Sequence, residues 1–205
     1  MKSCIILAAG CLFILTNHCH ADLVSMSDPV FGADSITLDT ETGLQWLDLT
    51  QTAGLTIADV QAQQSPGQLF EGFNVASTSE MQTVISNGGW EFAYNTNFFN
   101  DAAKYSVAFE LTETFGQTFT NPDSRVITFG WVSDTNTIGE NYYNQIFARG
   151  SDFSSSAYVN TFTWPSARSD IGVWLYRTSI PEPASGLVLS ASLVFASISR
   201  RRRTN

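Results

Sequence analysis

The sequence predicts an α+β fold: a single domain with two or three short helices and an antiparallel sheet, followed by a C-terminal transmembrane helix. Three observations predict the domain. Two helix-start signatures, Thr56 with Asp59 and Ser77 with Glu80, lie in the first half, each followed by a stop, Pro66-Gly67 or Gly88-Gly89. From Arg125 onward the texture turns to aromatic, threonine, serine and glycine residues in β-type runs. Helices followed by strands that must pair among themselves are the α+β pattern. All three cysteines and both histidines fall within residues 1–20, so the remaining chain must be held by its own core, without a disulfide framework.

The elements follow in chain order. Lys2 and the apolar stretch 5–15 form a signal peptide, with cleavage between Ala21 and Asp22. Eleven apolar residues make a helix of about 16 Å, short against a hydrocarbon core of roughly 30 Å, which argues against an uncleaved anchor. A lipoprotein box ending at Cys11 would leave almost no apolar run before the cysteine. The folded domain is expected from about Asp34 to Thr178, within an exported segment 22–178. Residues 36–39 alternate as a strand, 40–43 form a turn, and 44–49 resume a β-compatible pattern, which together make a hairpin. Ile57, Val60 and Ala62 belong to the first helix, and Met81, Val84 and Ile85 to the second. A third helix covers 100–114, with Ala102, Tyr105, Phe109 and Thr112 on one stripe and Gly116 as terminator. Strands are expected at 125–132, 142–147, 157–162 and 172–177.

The C-terminus reads as a stop-transfer element. Pro181-Glu182-Pro183 precedes the uncharged segment 184–199 and then Arg200, Arg201, Arg202 and Arg203. Four arginines after an apolar helix stay on the cytoplasmic side. The helix, about 24 Å long and diluted by four serines, halts export but makes a mediocre permanent anchor. This tail resembles the PEP-CTERM sorting signal. The resemblance implies recognition and removal by an exosortase near the motif, in a bacterium that secretes exopolysaccharide. It assigns 179–205 to the sorting signal and implies an inner-membrane intermediate that ends at the cell surface or outside the cell. Within the domain, Asp39-Thr-Glu-Thr-Gly-Leu-Gln-Trp-Leu-Asp-Leu49, Gly72-Phe-Asn-Val-Ala-Ser-Thr-Ser-Glu80 and Gly172-Val-Trp-Leu-Tyr-Arg177 are distantly similar to bacterial domains with a C-type-lectin-like fold. That resemblance implies that the opening and closing strands pair at the base. Asn74 stands where those domains carry arginine, and their cysteines are absent.

Composition excludes much chemistry. Without cysteine or histidine, residues 22–178 have no thiolate or imidazole metal site and no serine–histidine or cysteine–histidine nucleophile. All 19 acidic residues of the chain lie between Asp22 and Glu182, against Lys104, Arg125, Arg149, Arg168 and Arg177, a net charge of about −14. Nucleic acid is therefore excluded as a partner. Asn121-Pro122-Asp123 is similar to a lectin calcium motif, but its companion motif is missing and the segment reads as a turn. Asp134-Thr-Asn-Thr-Ile-Gly139 begins like a calcium loop, but Ile138 and Gln145 occupy ligand positions and the segment reads as a polar loop. Trp131, Tyr142, Tyr143, Tyr158 and Trp164 are either sugar-stacking aromatics or core, with core favoured and their polar atoms partnered internally. Trp46 and Trp174 read as core. No carboxylate pair is marked out by spacing, so neither a cofactor, a metal nor a catalytic residue is assigned.

The expected function is a non-enzymatic surface or extracellular-matrix protein, whose processing partners are signal peptidase and exosortase. The alternative is a glycan-binding module that retains exopolysaccharide. A carboxylate-only glycoside hydrolase is a distant third.

Overall fold

The computed structural model describes residues 22–121, 125–136, 139–149, 156–163 and 168–179. The expected signal peptide and the transmembrane helix at 184–199 lie outside them. Among the described residues no helix is long and apolar enough to cross a membrane.

The domain is α+β. It opens with three strands, β1 (Leu23–Asp28), β2 (Gly32–Asp39) and β3 (Leu44–Leu47), then a 3-10 turn (Leu49–Thr52) and helix α1 (Ile57–Gln61). Next come β4 (Asn74–Val75), α2 (Thr78–Asn87), β5 (Phe98–Phe99) and α3 (Ala102–Phe115). A strand-rich second half follows: β6 (Phe119–Asn121), β7 (Arg125–Thr135), β8 (Asn141–Arg149), β9 (Ser156–Thr163), β10 (Gly172–Val173) and β11 (Leu175–Thr178).

Local chemistry starts the helices where the sequence places them. Thr56 and Asp59 exchange side-chain and backbone bonds in a complete capping box at α1, and Ser77 and Glu80 do the same at α2. Asp101 caps α3, and Gly116 ends it at φ +89°. The buried stripe of α3 differs from the expected one. Ala108, Leu111, Thr112 and Phe115 are buried, Ala102 is exposed, and Tyr105 and Phe109 stack on each other at the half-buried flank. Only the second half of the helix lies over a closed core, so its burial phase is set there.

Two sheets form, where one was expected. The first has the order β1-β2-β3-β11-β4; the second runs β10-β7-β8-β9-β5, with β6 also on β7. All pairings are antiparallel except β10 with β7, which is parallel. The domain starts at Leu23, not near Asp34, because β1 pairs with β2 from Leu23 opposite Asp39. The expected last strand at 172–177 is divided at Trp174: its first part joins the second sheet and its second part the first sheet. The segments at 39–49 and 172–177 do meet, Tyr176 lying opposite Trp46, but the strand that β11 pairs with is the third of the chain, not the first.

Both faces of the sheets are covered. One face packs Trp46, Val132, Ile146, Val159 and Trp174 against Met81, Val84, Ile85, Leu111 and Phe115 of α2 and α3. The other packs Ile36, Leu47, Phe129, Trp131 and Val173 against Val60, Phe70 and Phe73 of the long 50–73 segment. The adjacent positions 126/127 and 146/147 divide between these two cores, as strand alternation requires.

Trp174 fixes the closest packing. It is fully buried, edge-on to Trp46 at 6.0 Å and to Phe115 at 5.0 Å. A Cβ at Gly130 would lie 2.4 Å from its ring and 2.2 Å from Leu49 Cδ2. Gly130→Ala is expected to destabilise the protein by about 2–3 kcal/mol through overpacking, read from the shift of its denaturant midpoint. A second expectation follows from a core without thiols or imidazoles. Residues 22–178 should keep their melting temperature within about 2 °C on adding chelator or reductant, whereas loss of a structural ion or disulfide would shift it far more.

Candidate functional site

The motif residues expected to direct sorting, Pro181, Glu182, Pro183 and Arg200 to Arg203, lie outside the described residues, as does Ala21. Asp22 is described, and its surroundings define where the chain enters the domain. Its backbone N–H donates to Thr40 Oγ1 at 2.9 Å, and its carbonyl accepts from Thr40 N–H at 3.1 Å. The exit is tied to the same turn: Ser179 N–H donates to the Gly43 carbonyl at 3.3 Å. The turn itself is held by Asp39, whose carboxylate accepts from Glu41 N–H, Thr42 Oγ1 and Asn87 Nδ2, while Gly43 takes φ +71°. Both ends of the domain therefore leave from the β2–β3 turn. Beside it, Leu23, Glu110, Leu111 and Thr114 line a cavity of about 330 Å³ with Asn87 and the Gly88-Gly89 backbone.

Two polar clusters secure the segment leading to this exit. Arg177 donates to Asp28 Oδ2 at 2.7 Å and to Gln45 Oε1 at 2.8 Å, and its guanidinium lies over the Phe73 ring at 4.8 Å. Burial pushes the Asp28 carboxyl up. Bonds from Val30 N–H, Arg177 and Phe31 N–H, with the guanidinium charge, outweigh that and hold it below its ordinary value. Tyr176 donates to Glu80 Oε1 at 2.5 Å, while Glu80 Oε2 accepts from Ser77 N–H and Oγ. Burial again acts upward on Glu80, but these bonds leave it below its ordinary value. The bond to Glu80, then burial, pushes the Tyr176 phenol up to about 12.

The described residues of the second calcium-like segment have structural partners. Asp134 accepts from Thr78 N–H at the start of α2, and Asn136 and Glu140 bond reciprocally across their loop. Asn121 lies opposite Arg125 on the β6–β7 ladder; Pro122 and Asp123 lie outside the described residues. No group of three potential ligand residues converges among the described residues.

The aromatics divide. Trp46, Trp131, Tyr143 and Trp174 are buried, and Tyr142 is half-buried. The indole N–H groups of Trp46, Trp90 and Trp174 have no hydrogen-bond partner among the described residues. The side chains of Tyr158 and Trp164 lie outside the described ones. One aromatic that sequence reasoning passed over reaches the surface. Phe162 is 38% exposed and stacks on Tyr143 at 5.5 Å and 24°. Tyr143 in turn meets Trp131 edge-on at 5.6 Å and Phe129 at 5.9 Å. Arg168 covers Phe129 at 5.5 Å and clamps Asp170 with two bonds of 2.9 and 2.5 Å. Asn160, two residues before Phe162 and on the same strand face, buries Oδ1 without a partner among the described residues. Register, not residue type, brings these groups together: Trp131, Tyr143 and Phe162 are successive Cα partners across β7, β8 and β9.

No family model, no characterised protein and no solved structure matches this chain.

The carboxylates and the phenols set the pH dependence, Tyr94 (pushed up to about 12 by burial) and Tyr143 (also raised by burial) adding to Tyr176 on the alkaline side. Glu80 and Asp28 have lowered folded values, so their stabilisation is present above the unfolded carboxylate range and is lost as pH falls through the folded values. Tyr176 has a raised value, so its stabilisation is complete below pH about 10 and is lost as pH rises towards about 12. The melting temperature should therefore be level between about pH 6 and 9 and fall on both sides. Tyr176→Phe should lower stability by about 1–2 kcal/mol and flatten the alkaline limb, as a thermal melt series across pH would show.

Proposed function

We propose that the chain is an exported, non-enzymatic surface or extracellular-matrix protein, cut behind Ala21 by signal peptidase and sorted by an exosortase at Pro181-Glu182-Pro183. The observation that carries this reading is the shared turn: Asp22 and Ser179 are both hydrogen-bonded to residues 40–43. A domain tethered to one membrane, first by its signal peptide and then by its tail, needs both ends on one side. The acidic balance of the exported part suits a soluble surface repelled by anionic headgroups. The tail's order of motif, short apolar segment and arginine cluster supplies the rest. We read the domain as C-type-lectin-like in outline, which the pairing of β11 with β3 and the capping-box helices α1 and α2 between them support.

Mass spectrometry of the processed protein should find Asp22 at its N-terminus and no peptide reaching Arg200. Glu182→Ala, or deletion of the four arginines, should leave an unprocessed form in the inner membrane. Unchanged processing in both variants would refute sorting at this motif.

A further inference from the structure

We infer that Asn87-Gly88, at the end of α2, is a site of spontaneous deamidation, and that the conversion frees the turn from which both ends of the domain leave. This dipeptide offers the reaction least obstruction, because glycine brings no side chain between the attacking nitrogen and the asparagine amide. The Gly88 amide nitrogen attacks Asn87 Cγ, a five-membered imide closes, and ammonia leaves with the proton that the nitrogen gives up. Water then opens the ring, either to aspartate or to isoaspartate, in which the main chain runs through the side chain. Nothing is oxidised, and water is the only co-reactant.

The fold uses both residues. A Cβ at Gly88 would lie 2.6 Å from Leu111 Cδ2 and 2.7 Å from Leu23 Cδ1, so a larger residue would push both side chains aside. Asn87 Nδ2 donates at 2.9 Å to Oδ2 of Asp39, a fully buried carboxylate that also holds the 40–43 turn through Glu41 N–H and Thr42 Oγ1. That turn receives the entering chain at Thr40 and the leaving chain at Gly43. Conversion puts a carboxylate where the amide donor was, so repulsion replaces a hydrogen bond. Asp22 and Glu110 line the same cavity as Asn87, and none of its lining residues is basic. The one cation that processing would add there, the Asp22 amino group, is placed at Thr40 Oγ1. The same contacts gate the reaction. Gly88 N–H donates to the Val84 carbonyl at 2.9 Å and Asn87 is bonded to Asp39, so both reacting groups are tied down until the last turn of α2 opens. The domain therefore carries a slow, irreversible release whose rate follows local opening.

The test uses the full chain, expressed with its own signal in a Gram-negative host, purified in detergent and incubated at mildly alkaline pH, either folded or in urea. Peptide mass spectrometry should find the mass gain of an amide-to-acid exchange at Asn87 in urea, and a gain at least about tenfold slower in the folded protein. Deamidated protein, separated by anion exchange, should exchange its Thr40 and Gly43 amide protons at least about tenfold faster than the intact form. Asn87→Asp should lower the melting temperature by about 4–8 °C at neutral pH, and by less near about pH 4.5, where one of two facing carboxylates takes a proton and donates to the other. Asn87→Ala, which loses the bond without adding charge, should lower it less than Asn87→Asp does at neutral pH. No mass gain in urea, an equal rate in the folded chain, unchanged exchange at Thr40 and Gly43, or an Asn87→Asp defect no larger than that of Asn87→Ala would each overturn the inference. The two rate measurements need no variant, which covers the case in which Asn87→Asp fails to fold. None of these readouts depends on sorting, so a failure at the tail leaves them unchanged.

Discussion

The fold depends on how seven residues near its end, 172–178, are shared between two sheets. Gly172 and Val173 lie parallel to β7, and Leu175 to Thr178 lie between β3 and β4. At the junction Trp174 sends its N–H to the Trp131 carbonyl at 3.0 Å and accepts from Ala76 N–H at 2.9 Å, so its own peptide joins the sheets. Thr52 Oγ1 accepts the Val173 N–H at 2.7 Å, which ties the 3-10 turn to the same point. The indole fills the space left by Gly130, and its N–H has no partner among the described residues. That unsatisfied donor costs on the order of 1–3 kcal/mol, less than full burial of so large a ring and its two edge-on aromatic contacts contribute. A smaller residue here would lose the ring contacts to Trp46 and Phe115 and leave a void at the junction of the sheets.

Polar networks then orient what hydrophobic packing only holds. Glu80 serves three partners at once: it completes the α2 capping box and receives the phenol of Tyr176 on β11. A helix start is thereby locked to the last strand. Arg177, the neighbour of Tyr176, reaches the other way to Asp28 and Gln45, anchoring the tip of the first hairpin. With no cysteine beyond residue 19, these half-buried hydrogen bonds tie distant segments together as a disulfide otherwise would. They also make the hairpin of β1 and β2 depend on residues some 150 positions later in the chain.

Local features were legible in the sequence and contact-dependent ones were not. The capping boxes at Thr56 and Ser77 and the turn at 40–43 are set by neighbours within a few residues, and each stands where the residues place it. β1 escaped notice because Leu23, Val24 and Met26 break strict alternation and the strand carries a bulge between Met26 and Asp28. The division of the last strand at Trp174 was equally hidden, since residues 172–177 read as one continuous β run while only the two sheets decide which part pairs where. The burial phase of α3 depends on which half of the helix lies over the core, which periodicity cannot state. Phe162 was passed over for the same reason: its exposure follows from its place near the end of β9, and its partnership with Tyr143 from a register fixed by the whole β7–β8–β9 ladder.

That register places the aromatic row and the exit of the chain at the two ends of one short segment. Val173 is the Cα partner of Trp131, which continues the row through Tyr143 to Phe162. From Val173 the chain runs five residues to Thr178, on the order of 15 Å, and Ser179 then meets the β2–β3 turn where Asp22 enters. The aromatic row and the exit turn are thus joined through one short segment that the two sheets share.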